Sequence, residues 1–382
     1  MTDAPAPGAE RVVGWVRGEV PGPLLLCVGG LHGNESAGVD AMGAVVRQIS
    51  ARKDRLRGDF LAVRGNVGAL ASGRRFLSYD LNRAWTKDRL TAGAAVDPTT
   101  EDAEVAGLGE ILGRAVREAR GELFMLDLHT TSGDGGAFTT VGDSLENRAF
   151  ARAIPVPLVL GLEELVEGTL VGYASELGFT TAVFECGQHR EPEAAGRAEA
   201  AIWIAVEAAG LLEPEGVPEA SRGKRSLAAE HKGLPPVLEM RYRHHVESGD
   251  GYATRPGYEN FQPVTPGEAI GRDSEGEVVV PEKGRVLMPL YQEQGEDGFF
   301  VVREFSRFWL MASKVLRRMG VARVVHWLPG VHREPGIPGA LAADKRVARW
   351  FALELFHLLG YRRHLEEESR LVVISRRARR VL

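Results

Sequence analysis

Short, nearly continuous apolar runs alternate along the first half of the chain with stretches whose apolar residues recur every three or four positions. Between Arg11 and about Gly210 the runs LLLCV (24–28), DFLAVRG (59–65), ELFMLDLH (122–129), PLVLG (157–161) and TTAVFECG (180–187) read as strands. Strands covered on both faces have this composition, so the pattern predicts an α/β domain around a largely buried sheet. After the first run, Ala41, Met42, Val45 and Ile49 fall on one helical stripe, with Asn34 as the expected N-cap. Further helices are predicted over roughly Thr100–Arg120 and Ala194–Gly210.

The pattern changes at LLEPEGVPEASRGKRSLAAEHKGLPP, where Pro, Gly, Ser and charges cluster without clear apolar periodicity and a linker is expected. From Pro236 to about Glu304, short strand candidates punctuated by glycine predict a compact β-rich unit. The remainder predicts helices near Arg307–Met319 and Ala342–Leu359, strands at ARVVHWL and RLVVISR, and a solvated basic tail, RRARRVL. The expected organisation is an α/β domain over 1–212, a linker with a β-rich domain over 213–305, and a C-terminal α/β extension over 306–382.

Composition narrows the partners. A net charge of −5 over 382 residues provides no global field for nucleic acid or an anionic membrane, so an anionic ligand must be attracted locally. The two cysteines, Cys27 and Cys186, lie far apart in predicted strands, and reduced cytoplasmic thiols are expected. The start MTDAPAPGAE lacks the pattern of a secretory signal, and no apolar run approaches the ~20 residues of a membrane span.

The chemistry concentrates in four places. GGLHGNESAG matches neither GxGxxG nor the lysine-bearing GxxxxGK[ST] of a phosphate-binding loop, whereas His32 and Glu35 put an imidazole and a carboxylate at the mouth of a strand. His129, at the end of ELFMLDLH, can join them where strand ends of an open sheet form a crevice. Two nitrogens and a carboxylate are the ligand set of catalytic zinc hydrolases, which leave a fourth position to water. Asp127, two residues earlier on the same strand face, is placed to orient the His129 imidazole. Glu185, at the end of TTAVFE, is the candidate general base, and His189 is a spare ligand candidate ranked below the other three. RRFLSYDLNRAW supplies Arg74, Arg75, Asp80, Asn82 and Arg83, a local grouping suited to an anionic substrate.

In order, GGLHGNE, RRFLSYDLNR, LDLHTTSG and VFECGQH resemble the succinylglutamate desuccinylase and aspartoacylase family of zinc hydrolases, related to zinc carboxypeptidases. The likeness extends over roughly Arg11–Glu304, through NFQPVTPGEAIG, GRVLMPL and GEDGFF. It implies a three-layer α/β domain with a central mixed sheet, and a β-rich domain that caps the cleft and restricts it to small acylated amino acids. By the same resemblance His32, Glu35 and His129 would bind one Zn²⁺, Glu185 would be the general base, and Arg75 would polarise the scissile carbonyl. Asn82 and Arg83 would grip the carboxylate of a small anionic N-acyl amino acid. GTLVGYASELGFTTAVFE offers no arginine for a second acidic group, which argues against N-acetylaspartate. A metallocarboxypeptidase acting on peptide C-termini and a noncatalytic, metal-stabilised binding protein are the rival readings. The segment after about Phe305 lies beyond the likeness, and docking on the main body or homo-oligomerisation is expected of its apolar helix faces.

Overall fold

The computed structural model describes residues 11–91, 101–247, 249–321, 324–334, 340–344, 356, 358–366 and 370–375. The first half contributes strands β1 (Val12–Arg17), β2 (Val20–Gly29), β3 (Arg57–Arg64), β4 (Leu123–Thr131), β5 (Phe138–Val141), β6 (Leu158–Leu160) and β7 (Thr180–Gln188). Its helices are α1 (Ala37–Ser50), α2 (Val67–Ser72), α3 (Lys87–Thr91), α4 (Glu101–Glu118), α5 (Leu145–Ala151), α6 (Leu170–Glu176) and α7 (Glu193–Ala208). The chain continues through α8 (Pro218–Glu230), β8 (Val237–His245), β9 (Ala253–Thr254), β10 (Pro263–Val264), β11 (Ala269–Arg272), β12 (Glu277–Val279), β13 (Gly284–Leu287) and β14 (Asp297–Glu304).

Eleven of these strands form one mixed sheet in the order β1-β3-β2-β4-β7-β5-β6-β8-β14-β13-β10. The β3-β2-β4-β7 centre is parallel, whereas β1 on β3 and β5 on β7 are antiparallel. Alternation along the strands separates two cores. Leu25 and Cys27 of β2 pack with α1 and α7 through Met42, Val45, Ala198 and Ile202. Leu24, Leu26 and Val28 face the opposite side, with Leu108 and Leu112 of α4 and Leu170 of α6. The result is the expected helix–sheet–helix sandwich, with the carboxyl ends of β2, β4 and β7 side by side.

Several local expectations differ. The N-cap of α1 is Ser36, without a side-chain cap bond, because the Asn34 amide is turned away to donate to Gln292 Oε1 at 2.8 Å. The expected linker carries α8, which buries Ala220, Gly223 and Leu227, with Val217 buried at its N-cap. Its stripe is built largely from small residues, so it is faint as hydrophobicity. A Cβ on Gly223 would stand 2.9 Å from Ala200 Cβ of α7, so the small residues let the two helices approach closely. In the β-rich segment β8 pairs with both β6 and β14 and thereby extends the main sheet, while β9, β11 and β12 form a separate three-stranded sheet.

The C-terminal segment begins with α9 (Arg307–Arg318), followed by β15 (Val331–Arg333), β16 (Ala340–Asp344), β17 (Tyr361–Glu366) and β18 (Arg370–Ser375) in one antiparallel sheet. ARVVHWL contains a single turn of 3₁₀ helix at Val325–Trp327 instead of a strand, since one turn suffices to seat Val325 in the local core. Ala342–Asp344 was expected to open a helix, but the alanine-rich run is the strand β16, paired with β15 and β18. Tertiary pairing overrides alanine's helix propensity there. The RRARRVL tail and most of the second expected helix lie outside the described residues. Among the described residues no helix is long and apolar enough to cross a membrane.

Candidate functional site

The turn from β2 into α1 depends on two glycines. Gly30 has φ +69°, a backbone region that L side chains rarely adopt. A Cβ on Gly33 would fall 2.2 Å from Ala69 O and 2.4 Å from Arg74 O, so the turn presses directly on α2 and on the loop after it. The Gly33 N–H donates to Arg75 O at 3.1 Å, which ties the two loops together. Between these contacts His32 and Glu35 are delivered beneath the end of β4, where His129 waits.

Each of His32, Glu35 and His129 offers a ligand atom within 4.8 Å of the others, and all three residues are buried. His32 Nδ1 lies 2.7 Å from Glu35 Oε1, and His129 Nδ1 lies 3.0 Å from Glu35 Oε2. The Thr130 N–H donates to Glu35 Oε2 at 3.1 Å and fixes that carboxylate. Each imidazole also presents its other nitrogen to a buried carboxylate. His32 Nε2 is 3.1 Å from Asp80 Oδ1, and His129 Nε2 is 3.0 Å from Asp127 Oδ2, the latter at ion-pair distance without hydrogen-bond alignment. Carboxylates behind imidazoles are the usual support of metal-ligating histidines.

Electrostatics points the same way. Burial opposes the charged form of Glu35, but His32 and His129 overcome it and hold its carboxyl well below the usual range. Burial likewise opposes charge on His129, and the Asp127 and Glu35 carboxylates prevail, holding the imidazole well above its ordinary value. A cation is therefore favoured among these carboxylates, and binding a metal would release the proton that otherwise supplies it. The donor set, its burial and its supporting carboxylates fit a divalent transition metal.

Glu185 on β7 is in direct parallel register with His129 on β4, which sets both side chains on the same face of the sheet. Burial pushes its carboxyl up to about 7, and its Oε2 is buried without a hydrogen-bond partner. It lines a cavity of about 140 Å³ together with His32, Glu35 and His129. Both strands run past the positions expected as their ends, to Thr131 and Gln188. His189 is absent from the ligand cluster. Its Nδ1 lies 2.7 Å from Thr130 Oγ1 and its Nε2 3.1 Å from Gln292 Oε1.

Arg75, Asn82 and Arg83 also line this cavity. Arg75 is 3.5 Å from Glu35 Oε1 and donates to Asp80 Oδ2 at 3.0 Å. Asp80 thus supports the His32 imidazole and an arginine together, a double role that its presence in RRFLSYDLNR did not reveal. Arg83 donates to Asp297 Oδ2 at 2.8 Å, and Arg243 holds the other oxygen of that carboxylate at 2.5 Å. Asn82 Oδ1 accepts the Leu170 N–H at 2.9 Å, so its amide nitrogen is the group it can offer a ligand. Asp297, Gln292, Met288 and Leu290 bring the β-rich segment to the cavity. Met288 and Leu290 fall in GRVLMPL and Asp297 in GEDGFF, but their approach to the cavity, like that of Gln292, is visible only in the fold.

The loop bearing Arg75 and Asp80 is itself held by Glu101, which is fully buried. Its carboxylate accepts N–H bonds from Leu77 at 2.6 Å and Ser78 at 2.9 Å, and an amide N–H from Asn66 at 3.2 Å. Burial raises its pKa, but these donors outweigh burial and leave it lowered. A lowered carboxylate contributes stability that is complete above its unfolded pKa and is lost as pH falls through the folded value. Glu101→Gln turns one acceptor into a donor facing an N–H, and should cost about 1–3 kcal/mol in urea unfolding at pH 7. The deficit should shrink towards pH 4, and an unchanged deficit there would refute the linkage.

Comparison with known proteins finds relatives in sequence and in fold. The succinylglutamate desuccinylase/aspartoacylase catalytic domain profile matches residues 21–201. A succinylglutamate desuccinylase of Burkholderia pseudomallei is 31% identical over 106 residues, a match covering 28% of this chain and 30% of that protein. The match therefore spans less than a third of that relative's length. An N-acyl-aromatic-L-amino acid amidohydrolase (carboxylate-forming) of Rattus norvegicus is 26% identical over 293 residues, or 70% of this chain and 86% of that one. The crystal structure of a succinylglutamate desuccinylase/aspartoacylase from Rhodobacter sphaeroides superposes with a TM-score of 0.56 at 19% identity, covering 76% of this chain and 88% of that chain. That likeness carries the fold: a large mixed sheet between helical layers. Over residues 21–201 the chain is therefore similar to the succinylglutamate desuccinylase/aspartoacylase catalytic domain, and it shares the fold of those proteins.

Proposed function

We propose that this chain is a zinc-dependent amidohydrolase that cleaves the amide bond of a small, anionic N-acyl amino acid. The observation that carries the reading is the placement of the His32–Glu35–His129 cluster in one buried cavity with Glu185, whose Oε2 has no hydrogen-bond partner. His32, Glu35 and His129 would hold the ion. When bound, zinc acidifies water and polarises a carbonyl. Glu185 takes the proton at its free oxygen and later returns it to the departing nitrogen, a task for which a carboxyl near neutrality is suited. Arg75, braced by Asp80, donates to the carbonyl oxygen as negative charge grows there. Arg83 and the Asn82 amide meet the substrate carboxylate, with Asp297 fixing the guanidinium's position. Residues 213–305 act as the cap, since Met288, Leu290 and Gln292 close one side of the cavity. The small volume favours an acylated amino acid over a peptide, and the rat relative, an N-acyl-aromatic-L-amino acid amidohydrolase, supports the same substrate class.

The test is elemental analysis of the purified chain followed by a screen of N-acetyl, N-succinyl and N-formyl amino acids beside short peptides, with detection of free amine. One zinc per chain, hydrolysis of an acylated amino acid, and loss of activity on chelation are expected. Absence of stoichiometric metal, or activity indifferent to chelation, would overturn the assignment, and preferential cleavage of peptides would replace it with a carboxypeptidase.

A further inference from the structure

The C-terminal segment lies outside the matched domain, yet one of its side chains grips Asp143, the residue next to the wall of the candidate cavity. On α9, Ser313 and Arg317 sit one helical turn apart and are buried, whereas Phe308, Trp309, Met311 and Val315 on the same helix are exposed. Arg317 donates from NH1 to Asp143 O at 2.7 Å and from NH2 to Asp143 Oδ2 at 2.9 Å. Its Nε donates to Leu358 O at 3.1 Å, the same carbonyl that Ser313 Oγ reaches at 2.8 Å. Asp143 also accepts from Arg148 of α5, at 2.7 Å to Oδ2 and through Nε to Oδ1, and Arg148 NH1 donates to Ser313 Oγ at 3.3 Å.

Asp143 stands two residues beyond the end of β5, and its own N–H donates to Glu163 Oε1 at 3.2 Å. Thr140, Val141, Gly142 and Glu163 all line the cavity that contains Glu185. The path from α9 to the cavity is therefore one buried carboxylate and one peptide unit long. A buried charge held by groups from separate segments resists displacement, because losing one partner leaves the others uncompensated.

We propose that Arg317 is a positioning residue: through Asp143 it fixes the Thr140–Gly142 wall and Glu163, so that substrate fit depends on the C-terminal segment. This rests on the deacylase reading only for what the cavity binds. The mechanical link stands apart from it, and the two halves are tested by different measurements.

Hydrogen exchange of the full-length zinc-loaded protein tests the link directly. In Arg317→Met, amides of 138–147 and 162–166 should lose protection by about tenfold, while those of β2 and β4 remain unchanged, and Arg317→Lys should recover part of the loss. Steady-state hydrolysis of N-acetyl-L-phenylalanine, or of whichever acylated amino acid the wild type cleaves best, tests the consequence. KM should rise about 3–30-fold in Arg317→Met with kcat within about threefold and zinc content unchanged, as expected for coupling through a packed network. Protection lost uniformly over the chain, or KM and kcat falling in step with stability, would reduce Arg317 to a general structural residue and overturn the proposal. If Arg317→Met does not fold, the same comparison between wild type and Arg317→Lys decides it. A wild type inactive on every acylated amino acid would sink the deacylase reading, while exchange at 138–147 would still decide the link.

Discussion

Glu185→Gln should retain its zinc and lose about 10²–10⁴-fold in kcat, the range that a positioned general base contributes. The replacement is nearly isosteric and leaves the register between β7 and β4 intact, so His129 should keep its place opposite position 185. What disappears is the oxygen that can take and return a proton. Burial already pushes this carboxyl up to about 7, so the group is basic enough to accept a proton near neutral pH, whereas an amide is not. The measurement is kcat and zinc stoichiometry on the same preparation. Full activity with full zinc would remove Glu185 from the chemistry, and loss of zinc would make it a structural support of the ligands.

The parts of this site that could be read from sequence are those fixed by short-range rules. Strand ends in a parallel sheet gather at one edge, so His129 and Glu185 announce themselves through the apolar runs that precede them. His32 and Glu35 follow from a glycine-rich turn after such a run. The supporting groups obey no local rule. Asp80 is 48 residues from the imidazole that it supports, and Asp297 is 214 residues from Arg83. Their roles arise from which loops the fold presses together. The helix α8 escaped for a different reason: alanine and glycine make a close-packing stripe without making a hydrophobic one. In the C-terminal segment, alanine-rich Ala340–Asp344 pairs as a strand because its neighbours provide an open ladder, information that lies in β15 and β18 and not in the run itself.

Glu35→Gln should abolish stoichiometric zinc binding, whereas Asp127→Asn and Asp80→Asn should keep the metal with about 10–100-fold weaker affinity each. The difference follows from position. Glu35 stands between the two imidazoles, 2.7 Å from one and 3.0 Å from the other, and is the one negative charge within the three-residue donor set. Its amide keeps the shape while removing the charge that favours a dication. Asp127 and Asp80 stand behind the candidate donors, each beside the imidazole nitrogen that is turned away from Glu35. Converting either to asparagine leaves all donors present but weakens the hold on ring orientation and lowers ligand basicity. Asp80→Asn should additionally lower kcat beyond its effect on zinc occupancy, because the same carboxylate positions Arg75. Competition against a chromophoric chelator measures the affinities, and rates at saturating zinc separate the Arg75 effect. Equal affinities in Asp127→Asn and wild type would show that His129 needs no carboxylate to orient it, and stoichiometric zinc in Glu35→Gln would dismiss Glu35 as a ligand.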